Sequence, residues 1–449
     1  MPSRHASAVP SRTILAASLA LAASGAFAQT ASEIDLARRI DQLAAELASV
    51  KAQLAQLQRQ PSAPAQSLPA ATFGSTSPAT PTHADATPAP AAPASPVAAH
   101  SERDTVLTGY GEINYNRPTR ASQNAQADVR RLVLGVEHRF DARTKLATEL
   151  EVEHAVTSST DAGEVAIEQA YVEHQLTPTW ALRAGLFLMP AGLLNENHEP
   201  TAYHGVERNF VETAIIPTTW REGGVQLIGS FNNGITLQGG LSTSFDLTKW
   251  DAASGKGKDS PLGSIHQELA LAKSHDLAVF GALNWRGVPG LLLGGSLFTG
   301  QATQAQAVAA ARITLWDLHA RWTPGRWDLS ALYSRGAISN TAALNATLVG
   351  NPTLIPKAFA GYYLQGAYKV WSKADYALSP FVRWEQFNTA SAYADLGPGR
   401  TPEAAQAEHV VTLGSNLQVA QGVVVKADYQ RFRLNTGLDR VNLGLGWSF

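Results

Sequence analysis

From Thr105 to Phe449 the chain is written in runs of roughly nine to fifteen residues, rich in Val, Leu, Tyr, Trp and Gly, in which apolar and polar positions alternate. A period of two sends successive side chains to opposite faces of a strand. In the last run Val441, Leu443, Leu445, Trp447 and Phe449 alternate with Asn442, Gly444, Gly446 and Ser448. The preceding one sets Val423, Val425, Ala427 and Tyr429 against Val424, Lys426, Asp428 and Gln430, and a third sets Ile235, Leu237 and Leu241 against Thr236, Gln238 and Ser242. Strands of a soluble sandwich average about five or six residues. A tilted strand crossing a bilayer needs about nine to eleven, which matches these runs.

Sixteen such strands are predicted, near 105–116, 126–140, 143–157, 163–176, 179–189, 221–232, 234–246, 273–286, 290–300, 309–322, 326–336, 357–371, 375–388, 406–420, 422–434 and 439–449. An even number returns both barrel ends to the same side of the membrane. Short turns at 140–143, 177–179, 232–234 and 323–325 each follow an even-numbered strand and are assigned to the periplasmic side. Long connections such as 248–272 and 337–356 follow odd-numbered strands and face outward. Trp180, Trp285, Trp322, Trp327, Trp371 and Trp447 lie near strand ends, where aromatic girdles sit. The fold class is therefore an all-β, transmembrane antiparallel barrel.

Ahead of the barrel the pattern changes three times. Arg4 and Arg12, the apolar run 14–22 and Ala26-Phe27-Ala28 have the three-part form of a cleaved signal peptide over 1–28. Leu36, Ile40, Leu43, Leu47, Val50, Leu54 and Leu57 then recur at gaps of four and three, the seam of a left-handed coiled coil over 31–60. That seam leaves two strands against three open, and a lone helix would expose it to water. Residues 61–103 are Ala, Pro, Ser and Thr with hardly any large apolar side chain, so they read as a flexible linker to a barrel over 104–449. The helix then belongs in the periplasm, holding copies of the chain together or gripping a periplasmic partner.

Composition narrows the remaining choices. No stretch of about eighteen uncharged apolar residues follows the signal, which excludes spanning helices but not a barrel. There is no cysteine, so an exported chain must be held by something other than disulfides, and barrel closure suffices. The formal net charge of −2 argues against a nucleic-acid partner.

Several segments also carry a family resemblance. Phe449, with apolar residues at alternate positions before it, resembles the end strand that bacterial barrel-assembly machinery recognises. The runs Gly185-Leu186-Phe187-Leu188-Met189-Pro190-Ala191-Gly192, Asn195-Glu196-Asn197-His198-Glu199-Pro200, Gly205-Val206-Glu207-Arg208 and Ile215 to Val225 resemble the phosphate-selective porin O and P family. The resemblance covers the barrel and is most specific over 185–225. It implies a trimeric, sixteen-stranded Gram-negative outer-membrane barrel whose third external loop, 190–220, folds inward and narrows the pore. Glu196, His198, Glu199, His204, Glu207, Arg208 and Glu212 would then line the constriction. Position 188 is Leu where Lys is common in the family, so the resemblance is not extended to phosphate binding.

Strand parity sends Arg131, Arg139, Lys145, Arg183, Arg321, Lys369, Arg383, Lys426 and Arg440 inward, with Glu112, Glu149, Glu151, Glu153 and Glu168. A transverse field between an acidic and a basic wall is the expectation, with each arginine either binding solute or pairing with a glutamate. The histidines and carboxylates of 196–207 include metal-ligand types, but their spacing does not match a zinc-protease helix, and no metal or cofactor is expected. Ser330, His319 and Asp317 are placed on neighbouring strands with nothing to specify a catalytic geometry, so an enzyme is not expected. The reading is a channel for passive diffusion of small hydrophilic solutes, anionic ones among them; the alternative is a structural anchor whose coiled coil tethers periplasmic partners or cell wall. The expected partners are outer-membrane lipid, further copies of the chain, the barrel-assembly machinery and the diffusing solutes.

Overall fold

A computed structural model describes residues 104–449. The signal peptide, the heptad seam and the Ala/Pro-rich linker lie outside the described residues. Sixteen antiparallel strands form one closed sheet: β1 (Thr105–Pro118), β2 (Gln126–Arg139), β3 (Thr144–Glu153), β4 (Glu164–Gln175), β5 (Trp180–Leu188), β6 (Arg221–Ser230), β7 (Ile235–Thr243) and β8 (Leu277–Trp285) make the first half. The second half is β9 (Leu291–Gln301), β10 (Arg312–Trp322), β11 (Trp327–Ile338), β12 (Ala358–Tyr368), β13 (Tyr376–Ala392), β14 (Glu408–Ala420), β15 (Val423–Phe432) and β16 (Arg440–Ser448). The short segment Trp371–Lys373 carries the β12–β13 ladder on to its turn, pairing Trp371 with Leu378. Closure is between β1 and β16, in register from Tyr110↔Ser448 to Pro118↔Arg440. It is completed by a mutual pair of backbone hydrogen bonds between Gly109 and Phe449, at 3.0 and 2.9 Å. No sheet edge is left open, so the strands satisfy one another's amides as a bilayer requires.

The wall is inside-out relative to a soluble protein. Leu134, Leu241, Val279, Leu318, Leu364, Leu413 and Leu443 stand exposed on the outer face, while Gln226, Ser242, Glu385, Thr412, Gln430 and Asn442 are buried within. The alternation read from the sequence holds in β15 and β16: Val425, Tyr429, Val441, Leu443 and Leu445 face out, and Lys426, Asp428, Gln430 and Asn442 face in. All six tryptophans singled out above lie at the short-turn end, where β5 and β11 begin and β8, β10 and β16 finish. They form a single girdle at one interface.

Parity fails at bulges. Between β1 and β2 the register jumps from Glu112↔Arg131 to Ile113↔Val129, leaving Arg130 as an extra residue. Between β3 and β4 it jumps from Glu149↔Gln169 to Leu150↔Ile167, leaving Glu168 as the extra residue. A bulge re-aims the side chain it displaces, and both of these lie beside the lumen groups described below.

At the long-loop end the connections 189–220, 244–276 and 339–357 share an apolar cluster with the inner faces of β8 to β12. Trp220 stacks on Phe245 with centroids 5.2 Å apart and meets Phe298 edge-on at 4.9 Å. Ile215, Ile216, Leu262, Ile265 and Ile313 pack around them, all almost fully buried. The loops read as simple outward connections thus fold over part of the barrel's opening, because each carries large apolar residues that the lumen lets them bury against one another.

Gly185 in β5 has φ of +134°, and a Cβ there would lie 2.3 Å from the Ala170 carbonyl oxygen. Gly185→Ala is expected to cost about 1–3 kcal/mol, the range for overpacking a fitted site. The measurement is the temperature at which the folded band of the purified barrel is lost on a semi-native gel; an unchanged temperature would contradict the strained geometry.

Candidate functional site

The connection from β5 to β6, residues 189–220, turns into the barrel and is tied to inward-facing side chains around much of the wall. On the β13–β15 side the backbone N–H groups of Gly205, Val206 and Phe210 donate to Asn416 Oδ1 (3.2 Å), Asp428 Oδ2 (2.6 Å) and Glu385 Oε2 (2.6 Å). Arg383 donates to the carbonyls of His204 (3.2 Å) and Glu207 (3.3 Å), and its Nε to Glu385 Oε1 (3.1 Å). The Lys426 ammonium sits 3.6 Å above the Tyr203 ring centre. On the strands flanking that stretch, β1 and β10, Tyr203 donates to Glu112 (2.9 Å), Asn116 to Glu207 (2.7 Å), and the Gly192 N–H to Asp317 (3.1 Å). Ties of this kind fix a loop only if wall and loop present complementary groups at matching heights, which the inward rows of polar residues do.

Inside the loop, Glu212 is the organising group. It stands in the single π-type turn Val211–Ile215 and is 4% exposed. Its carboxylate accepts from the N–H groups of Leu193 (2.6 Å) and Leu194 (2.7 Å), from Asn209 Nδ2 (2.7 Å) and from Tyr363 OH (3.1 Å) of β12. Burial raises the Glu212 carboxyl above its ordinary value, and these four donors pull against that rise. Burial likewise pushes Glu207 up, but Arg130 and Arg440 with the Asn116 bond outweigh it and hold that carboxyl below its ordinary value.

His198 has a contact set that fixes the hydrogen on Nδ1. Nδ1 is 2.8 Å from the Asn195 carbonyl, which can only accept, so a hydrogen lies on Nδ1. Nε2 is 2.6 Å from Glu168 Oε1 and 2.7 Å from Tyr110 OH, and Tyr110 also donates to Glu168 Oε2 at 3.0 Å. The bulge in β4 aims Glu168 at this histidine. His204 turns to a different wall, 3.1 Å from Asp328 of β11, so the two loop histidines do not converge.

The inward charges pair locally rather than facing each other across the lumen. Arg131 meets Glu112 (3.1 Å), Glu151 (2.9 Å) and Glu153 (3.5 Å); Arg183 meets Glu173 (2.9 Å); Arg321 meets Asp328 (2.7 Å). Of the residues singled out in the sequence, His198, Arg208, Glu212, Arg131, Glu151, Arg383 and Lys426 are buried where loop meets wall or within the loop. Glu196 is exposed, and Glu199, His204, Glu207, Arg183, Glu149 and Glu153 are half-buried. Asp428, read from the alternation as inward, belongs to the same web, as do Tyr110, Tyr203 and Glu385, which were not singled out as lumen groups from the pattern. Their signal, a polar or phenolic group at an inward position, is shared with many lumen residues. His319 bonds Asp317 (2.6 Å) and Asn284 (2.8 Å), while Ser330 is 3.4 Å from Gln365, so the three residues weighed for catalysis do not form a nucleophile–base chain.

Residues 106–242, which carry the first seven strands and the inward loop, match the family model described as phosphate-selective porin O and P. Over this segment the chain carries the pattern of that family. A protein of Aquifex aeolicus (strain VF5), named only as uncharacterized, is 29% identical over 335 residues, covering 72% of this chain and 75% of that one. Among solved structures, Salmonella typhi OmpF in complex with daunomycin aligns with a TM-score of 0.51 at 12% identity, over 77% of this chain and 97% of that one. A loop L8 deletion mutant of Vibrio cholerae OmpT aligns with a TM-score of 0.50 at 10% identity, over 77% and 99%. At such identities the likeness is one of fold. It agrees with the sixteen-strand closure.

Proposed function

We propose that this chain is a porin, forming a water-filled channel through which small hydrophilic solutes diffuse passively, narrowed by loop 189–220. The observation that carries the reading is the combination of a lipid-compatible outer face with a loop pinned across a polar interior by bonds to β1, β10, β13, β14 and β15. Water-facing Glu196, Glu199, Glu207, Glu149, Glu153 and Arg183 are the groups a solute meets; the buried set holds the constriction in place. Because the inward arginines are largely neutralised by neighbouring carboxylates, selectivity between small anions and cations is weak. Purified protein in a planar bilayer should give stepwise ion current, and a gradient of salt should give a small reversal potential. A barrel that inserts without stepwise current would leave the anchoring role in its place.

The heptad seam at 31–60 supports assembly of several copies of the chain, the family resemblance makes that assembly a trimer, and Phe449 supports recognition by the barrel-assembly machinery. Deleting 31–60 should shift the native electrophoretic mass toward single barrels; an unchanged mass would remove the helix from assembly.

A further inference from the structure

Beneath the inner loop, at the short-turn end of β8, β9 and β10, lies a cavity of about 580 Å³. That volume is within the range of small-ligand pockets, about 300–1,000 Å³. Its polar lining includes Glu196 from the loop, Asn284 and Arg286 from the end of β8, and His319 from β10; Leu193, Val288 and Pro289 supply an apolar stretch. Arg131, Arg183, Arg321 and Arg383 each hold a carboxylate. Arg286 is exposed and, among the described residues, its guanidinium has neither an ion pair nor a hydrogen-bond partner. Glu196 accepts one bond, from Gln238 Nε2 at 3.2 Å, and pairs with no cation. A free cation and a free anion therefore share one cavity without meeting within ion-pair distance.

We infer that this cavity is a binding subsite for zwitterionic solutes carrying a carboxylate and an ammonium on a small apolar body, the chemistry of an amino acid or short peptide. The planar fork of Arg286 suits a carboxylate, which it can hold through two parallel hydrogen bonds. Glu196 suits the ammonium, and Leu193, Val288 and Pro289 take the apolar body between them. The inference rests on the channel reading and names a solute class for it.

The test uses the full chain in a planar bilayer with the dipeptide alanyl-leucine, its N-acetylated form and its C-terminal amide, and titration calorimetry of the same protein in detergent. Each block is read as a fraction of that protein's own open current. The free dipeptide should interrupt the current at lower concentration than either capped form. Glu196→Gln and Arg286→Gln should each weaken its binding about fivefold, the weight of one partly exposed ion pair. Glu196→Gln should leave the acetylated form, which has no ammonium, unaffected. Equal block by all three solutes, or variants that bind the dipeptide as the native chain does, would overturn the subsite. Calorimetry separates the two failures: a protein that binds the dipeptide without conducting retains the subsite and loses the channel, and one that conducts without binding does the reverse.

Discussion

Replacing Glu212 by leucine is expected to release the inner loop from its own fold while the barrel stays closed. Four donors converge on this one carboxylate, two from the start of the loop, one from its middle and one from the β12 wall. Leucine fills the volume and accepts none of them. A buried donor left without a partner costs about 1–3 kcal/mol, so with partial relaxation the docked loop should lose on the order of 4 kcal/mol. Limited proteolysis of the folded barrel should then cut within 189–220, and single-channel current should become larger and noisier; a protected loop with native conductance would contradict the role. Glu212→Gln isolates the charge. Because the folded-state carboxyl is raised, its favourable contribution is present below the ordinary carboxylate value and is lost as pH rises through the raised one. The stability of the native chain relative to Glu212→Gln should therefore decline with rising pH over that window, read from melting at a series of pH values.

The barrel was legible because a strand between lipid and water has only one workable pattern, and Val441 to Phe449 writes it without a break. All sixteen strands are where the alternation places them, with ends shifted by a few residues. The bulges were not legible, since an extra residue is defined by its neighbour's register and not by its own strand. Arg130, adjacent to inward Arg131, should by parity face lipid, yet it is close enough to lower the Glu207 carboxyl. The loop's bonding was hidden for a related reason: Val206 reaches Asp428 and Glu212 reaches Tyr363 across separations no local pattern encodes. What the sequence did offer was the density of charged and histidine residues between Glu196 and Glu212, far above that of an ordinary surface turn. Several of those residues are engaged with the wall, and the solvent-facing remainder is a smaller set.

Arg383→Met should weaken the wall and free the loop at once, and a second substitution can separate the two effects. The guanidinium is 2% exposed, Glu385 beside it is fully buried, and the same side chain holds the loop carbonyls of His204 and Glu207. Removing one member of a buried pair leaves an uncompensated charge and costs about 3–5 kcal/mol. The single variant should therefore melt at a lower temperature and conduct more. In Arg383→Met with Glu385→Gln the stranded charge is gone, while the amide oxygen can still accept from the Phe210 N–H. Most of the thermal loss should return, because the wall no longer buries a lone carboxylate. Conductance should stay raised, because neither methionine nor glutamine reaches the two loop carbonyls as the arginine does. If the double variant instead recovers native conductance, the loop is held in place without Arg383, and its bonds to Asp428 and Asn416 would have to carry the anchoring alone.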